Sequence, residues 1–171
     1  MTGGHALVVT GGPLPTNQGP LPSADLVIAA DGGADNAADL GLAVDLVVGD
    51  LDSASSAAVA RAGKVERHPE DKDETDLELA LAAALNAGMG SVTVVGTISG
   101  RVDHALGNLL VVAANRWADL RIHLRIDSTR AWVVRDRVEV RGAVDDLVSL
   151  LAVGGQASGV TTTGLAWPLS D

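Results

Sequence analysis

The chain has 171 residues, 47% of them hydrophobic, with 22 acidic side chains against 12 basic ones and a formal net charge of -10. That length suits one domain, or one with a small companion, and the charge argues against a partner gripped through a nucleic-acid phosphate backbone. With no cysteine, disulfides, thiolate metal sites and Cys nucleophiles are excluded. Phe and Tyr are absent and only three Trp occur, so the core must come from Ala, Val, Leu and a little Ile. No apolar run approaches the roughly 20 residues that cross a bilayer, and Met1 to His5 lacks a charged-then-apolar signal pattern. A soluble cytoplasmic protein, with no membrane and no nucleic-acid partner, is the expectation. Acidity does not exclude a nucleotide bound through a cation, because the ion turns an acidic pocket into a phosphate site.

His5 to Thr10 reads as a short buried strand that runs into the turn-rich Gly11-Gly12-Pro13-Leu14-Pro15. Asp25 to Ala30 is a second apolar run, closed by Asp31-Gly32-Gly33-Ala34, where the glycines permit close approach of backbone to a ligand or a tight turn. An Ala-rich helix to about Gly41 follows. The pattern then recurs: Asp45 to Val48, the loop Gly49-Asp50-Leu51-Asp52-Ser53, and a helix to about Gly63. Both units start Asp-Leu-Val and end in an acid. Asp50 and Asp52 stand one residue apart, which in extended backbone points both carboxylates the same way, and hard cations take such oxygen ligands. A plain helix cap at Ser53 is the competing explanation. Continuous apolar strands alternating with helices indicate a parallel sheet covered on both faces. Ligands bind such sheets at the carboxyl ends of the strands, which puts Asp31, Asp50 and Asp52 on one rim.

Lys64 to Arg67 is a candidate short strand leading into the most polar stretch, His68 to Asp76. Thr75 and Glu78 match a capping box, and Leu77, Leu81 and Leu85 line one face of the helix that ends at Gly88. Asp76 then sits in the first helical turn, where a carboxylate is favoured. Asp71, Asp73 and Glu74 read mainly as a solvated charge run, with Lys72 and Asp73 the exceptions of interest. Ser91 to Val95 is a further strand. The loop after it packs Gly96, Gly100, Arg101, Asp103 and His104 into nine residues ahead of a helix with Leu106, Leu109, Leu110, Ala113 and Trp117 at core spacing. Glycine for close approach, arginine for charge and a helix start for anions suit nucleotide phosphates, though Asp103 also fits a simple N-cap.

From Leu120 the character changes. Arg121 to Ile126 and Arg135 to Arg141 alternate polar and apolar residues, as half-buried antiparallel strands do. Val148 to Val153 and Gly159 to Leu169 read as two more strands. A boundary near Asp127-Ser128 separates residues 1–127 from residues 128–171, and the second piece is small for an independent core.

In order along the chain, Ala30-Asp31-Gly32-Gly33-Ala34, Gly49-Asp50-Leu51-Asp52-Ser53, Asp73-Glu74-Thr75-Asp76, Gly100-Arg101-Val102-Asp103-His104 and Val160 to Trp167 together resemble the thiamin pyrophosphokinase family. The resemblance implies an α/β, parallel-sheet nucleotide-binding domain of Rossmann-like type, followed by a smaller antiparallel β-sandwich domain that holds thiamin. It implies a homodimer that moves the pyrophosphoryl group of ATP to the hydroxyl of thiamin with Mg²⁺, releasing AMP. Asp50, Asp52 and Asp76 match the Mg²⁺-binding acids. Asp31, Arg101 and Asp103 match positions at the reacting centre, and either Asp31 or Asp103 is a candidate to take the hydroxyl proton. Gly32, Gly33, Ser53, Lys72, Asp73, Thr75, Gly100, Arg101 and His104 would surround the nucleotide; Lys72 falls where some relatives carry glutamine. Trp167 would offer an aromatic face to the thiazolium, or pack in a core. Family members continue past the Gly-Leu-x-Trp segment into further strands with a Ser/Asn motif, whereas this sequence ends at Asp171. The expectation is therefore a tail beyond these residues or a sandwich without part of its acceptor site. A pyrophosphokinase for another alcohol, such as a pterin, and a non-catalytic nucleotide or metal sensor are the alternatives.

Overall fold

A computed structural model describes residues 3–14, 19–96, 102–126 and 128–170. The chain divides into a unit of residues 1–138 and one of residues 139–171. The first is built on a seven-stranded mixed sheet: β1 (Gly4–Thr10), β2 (Leu26–Ala30), β3 (Leu46–Gly49), β4 (Lys64–Arg67), β5 (Met89–Gly96), β6 (Arg121–Ile126) and β7 (Thr129–Trp132), in the spatial order β4-β3-β2-β1-β5-β6-β7. All neighbours are parallel except β6 and β7. The helices are α1 (Gly33–Asp39), α2 (Ser56–Val59), α3 (Asp76–Asn86) and α4 (Val102–Ala113). The order reverses direction at β1, whose neighbours are β2 and β5, so the carboxyl ends of the central strands open a crevice there.

The apolar runs become strands because both of their faces find cover. Ala6, Val8, Ile28, Val92 and Val94 meet Leu77, Ala80, Leu81 and Ala84 of α3 on one side. On the other side Leu7, Val9 and Val95 pack with Ala37 of α1. The repeated Asp-Leu-Val start has a local cause. Asp25 takes the amide of His5 onto its carboxylate at 2.8 Å, and Asp45 does the same for Val27 at 2.8 Å, so each acid satisfies the first donors of the neighbouring strand.

Four expectations change. The helix after the Asp50 loop is a single turn, α2, capped not by Ser53 but by Ser55, whose hydroxyl accepts from the Ala58 amide. Trp117 lies not in α4 but in a 3-10 turn, Asn115–Trp117, where it is buried and donates its indole N–H to the Val111 carbonyl at 2.9 Å. In α4 the buried position is Val112, while Leu106 and Leu110 are about half exposed, so the core stripe is rotated from the one that the leucines suggest. Finally, β6 alternates not because both of its neighbours are antiparallel but because only one of its faces is buried. It runs parallel to β5 and antiparallel to β7.

Within the second unit, the described residues carry no strand. The strands expected over Arg135–Arg141, Val148–Val153 and Gly159–Leu169 are not formed. A strand persists when its ladder and its apolar face are both partnered, and here Leu147 is 94% and Leu151 85% exposed, with Val148, Leu150 and Val153 about half exposed. What order there is comes from local closures. The Ala143 amide donates to the Asp146 carboxylate at 2.7 Å, and Thr162 and Leu169 bond reciprocally, amide to carbonyl at 3.0 Å and amide to hydroxyl at 2.8 Å.

Candidate functional site

Three carboxylates converge where β2 and β3 end and α3 begins. One oxygen each from Asp31, Asp50 and Asp76 lies within 4.8 Å of the others, all half-buried. Backbone turns of unusual sign create the meeting point. Asp31 has φ 45° and Leu51 φ 66°, conformations that side chains rarely adopt, and Gly49 has φ 140°. Leu51 also explains a departure from expectation. Its turned backbone breaks the extended geometry that would have aimed Asp50 and Asp52 together. Asp50 points into the cluster, while Asp52 is exposed and accepts the Ser53 hydroxyl at 2.9 Å. Asp31, singled out from sequence for the reacting centre, takes the third place.

Glycine is required at position 49 on two counts. Its φ favours a residue without a side chain, and a Cβ would stand 3.0 Å from Asp76 Oδ1 and 3.1 Å from Asp31 Cβ, filling the space between the acids. The loops are pinned from outside. Arg67, which sequence reasoning did not single out, donates to the Asp50 carbonyl at 2.9 Å, and the His68 amide donates to the Gly49 carbonyl at 2.8 Å. Asp35 of α1 accepts both the Ser55 amide at 2.7 Å and the Ser55 hydroxyl at 2.5 Å, which draw its pKa down and tie the end of the Asp52-Ser53 loop to α1. Asn36 bridges the Thr10 and Gly12 carbonyls at 2.8 Å each, fixing the loop after β1.

Asp76 reaches the cluster because α3 starts where the sequence predicts. Thr75 accepts the Glu78 amide at 3.2 Å while Glu78 accepts the Thr75 amide at 2.7 Å, a complete capping box. Glu78 also pairs with Arg116. Burial raises the pKa of Asp76; Lys72 works against that shift, and Asp31 and Asp50 add to it. The Lys72 ammonium stands 3.2 Å from Asp76 Oδ1 and 3.7 Å from Asp50 Oδ2, with its side chain only 11% exposed. Burial opposes that charge, yet the two carboxylates outweigh it and raise the Lys72 pKa. The contact to Asp76 is an ion pair without an aligned hydrogen bond, so Asp76 Oδ1, like Asp31 Oδ1, is buried with no hydrogen-bond partner.

Beside the acids, Thr75, Asp103, His104, Gly107, Asn108 and Val111 line a cavity of about 250 Å³. Asp103 and His104 are exposed on the first turn of α4, and the Asn108 side-chain oxygen one turn later is buried without a hydrogen-bond partner. The remaining residues singled out from sequence divide clearly. Gly33 serves packing, since a Cβ there would collide with the Val9 carbonyl. Gly32 lies against Ser53, with room for a Cβ at 3.4 Å from the Ser53 side chain. Asp73 is exposed and outside the acid trio. Gly100 and Arg101 lie outside the described residues. Trp167, in the second unit, is 87% exposed.

A thiamin pyrophosphokinase of Bacillus subtilis is 28% identical over 96% of this chain and 81% of its own length. Thiamine pyrophosphokinase 2 of Arabidopsis thaliana is 29% identical over 74% of this chain, which spans about half (52%) of that relative. Among solved structures, a thiamin pyrophosphokinase family protein from Enterococcus faecalis superposes with a TM-score of 0.59 at 27% identity, covering 69% of this chain and 60% of that one. Thiamine pyrophosphokinase from Bacillus subtilis gives 0.58 at 29% identity, covering 70% and 59%. The model of the thiamin pyrophosphokinase catalytic domain matches residues 20–124, more than half of the chain and the stretch that carries β2 to β5 and all three acids; the chain belongs to the thiamin pyrophosphokinase family.

Proposed function

We propose that this chain transfers the pyrophosphoryl group of ATP to the hydroxyl of thiamin, giving thiamin diphosphate and AMP. The observation that carries the reading is the convergence of Asp31, Asp50 and Asp76 at the carboxyl ends of β2 and β3, inside the segment matched by the catalytic-domain family model.

The trio fits a hard divalent cation, Mg²⁺ in this reading. All donors are carboxylate oxygens, two buried oxygens lack hydrogen-bond partners, and the place of the missing Gly49 side chain is left open between the acids. Asp31, Asp50 and Asp76 would hold the ion, which when bound neutralises charge on the phosphate oxygens. Asp52, exposed on the same loop, is then a residue of the rim rather than of the inner cluster.

The chain's own residues supply alignment, the main requirement of phosphoryl-type transfer. The bond between the acceptor oxygen and the β-phosphorus forms, the β-phosphorus bond to the bridging oxygen breaks, and AMP leaves with that oxygen. Asp103, on the wall of the cavity, takes the hydroxyl proton; Asp31 is committed to the acid trio. Thr75, Asn108 and His104 orient the substrate from the same walls, and Arg101, next in sequence before α4, adds positive charge. A homodimer, a cytoplasmic setting, a Rossmann-like description of the sheet and a thiamin-binding role for the residues that follow it complete the proposal, on the strength of the family resemblance.

The test is AMP release from ATP and Mg²⁺ with and without thiamin. Thiamin-dependent AMP is expected. AMP formed only with another alcohol, such as a pterin, would move the acceptor, and Mg²⁺-dependent ATP binding without AMP for any acceptor would favour a sensor.

A further inference from the structure

The trio of acids carries an internal cation. Three carboxylates within 4.8 Å repel one another strongly in a half-buried setting, and Lys72 places its ammonium against two of them, 3.2 Å from Asp76 and 3.7 Å from Asp50. The side chain is only 11% exposed, so this is a seated charge rather than a loose surface pair. Its origin is local: Lys72 stands four residues before Asp76 in the loop that leads into α3, and its amide donates a hydrogen bond to the Glu70 carbonyl at 3.1 Å. The ammonium nevertheless leaves the buried Oδ1 of Asp76 and of Asp31 without aligned donors. The Asp76 oxygen is compensated in charge by Lys72, and neither oxygen has a hydrogen-bond donor aligned on it, the condition of a site kept ready for a cation with more demanding geometry.

We propose that Lys72 is the resident counter-ion of this site, pairing with Asp50 and Asp76 in the metal-free protein and giving way when a divalent cation enters. The inference rests on the reading of the trio as a cation site. A flexible four-carbon stem and a strongly hydrated head suit the exchange, because the ammonium regains water when it leaves. Competition of this kind weakens metal binding and, in return, stabilises the empty site. Lys72 is thus a positioning residue for Asp50 and Asp76, distinct from the groups that face the reacting atoms.

The test titrates Mn²⁺ into the full chain by calorimetry, without nucleotide, for wild type, Lys72→Met, Lys72→Gln and Lys72→Arg. The neutral variants should bind about tenfold more tightly, the scale on which one charge a few ångströms away moves an ionisation equilibrium, and Lys72→Arg should stay near wild type. In chelator the neutral variants should melt below wild type, with the gap closing as Mn²⁺ is added. Amine acylation of the wild type, read at Lys72 by mass spectrometry, should rise with Mn²⁺. Equal or weaker binding by both neutral variants, while wild type binds, overturns the inference and leaves the cation site standing. Binding by none of the four removes the cation site itself, and the inference with it.

Discussion

The two units use similar residues to opposite effect. In residues 1–138, Val, Leu, Ile and Ala of β1, β2, β3 and β5 are covered on both faces, and Val8, Val9, Ile28, Val47 and Leu81 are fully buried. In residues 139–171, Leu147, Leu151 and Trp167 are between 85% and 94% exposed, and no strand is formed among the described residues. Hydrophobicity is therefore not what separates them. A parallel strand flanked by its own crossover helix brings part of its cover with it, so the local sequence is nearly sufficient. A half-buried strand depends on a partner strand and an apolar cover supplied from elsewhere in the chain.

The strongest way to break this contrast is at the acids, because it assigns the chemistry to the first unit. Asp50→Asn should lower AMP formation by about a hundredfold or more, the scale of losing one charged group at a transition state, with a melting temperature in chelator lowered no further than in Lys72→Met. A stability loss matching the activity loss would recast Asp50 as a structural residue. Next comes burial itself. Leu81→Ala, at a fully buried position of α3, should cost about 2–5 kcal/mol by chemical denaturation, whereas Leu151→Ala, 85% exposed, should stay within about 0.5 kcal/mol. A large loss at Leu151 would mean that the second unit has a covered face in solution. Thr75→Ala removes one arm of the capping box and should cost about 1 kcal/mol. Thr75→Ser, which keeps the hydroxyl, should recover most of that cost.

The smallest effect is a pH dependence on the far side of the sheet. His123 stacks on Trp132 with ring centroids 4.8 Å apart; its pKa is lowered from 6.5 by burial, then by Arg125, Arg130 and His5. His5, held at 2.9 Å from the Ser91 hydroxyl, is lowered as well, by burial, with Asp25 opposing. A histidine whose folded pKa is depressed contributes stability above its unfolded pKa and loses it as pH falls through the folded value. The fold should therefore weaken as pH drops below about 6.5, and His123→Gln should flatten that limb in urea titrations at successive pH values. An unchanged slope would separate His123 from the acid response.

Legibility in the sequence followed the same division. The existence and order of β1 to β5, the capping box at Thr75 and the burial of Leu77 and Leu81 in α3 follow from residues close in sequence; β5 starts two residues before the expected Ser91, and Leu85 is only partly buried. The acid trio was legible in its members but not in its grouping. Asp31, Asp50 and Asp76 each stand at the end of a strand or the start of a helix, but the displacement of Asp52 turns on the φ of Leu51, a backbone state that no spacing rule reports. Arg67 and Asp35 were invisible for a related reason: each acts on a loop 17 and 20 residues away, through contacts that only the packed sheet creates. In α4, several apolar residues on different sides made the helix certain and its buried face ambiguous.

The most direct test of the central claim is the anomalous-diffraction map of crystals grown with Mn²⁺ and a non-hydrolysable ATP analogue. A peak about 2.1 Å from carboxylate oxygens of Asp31, Asp50 and Asp76, with phosphate oxygens completing the octahedron, is the predicted result. A peak held by Asp52 and Asp73 instead, or none near β2 and β3, would contradict it.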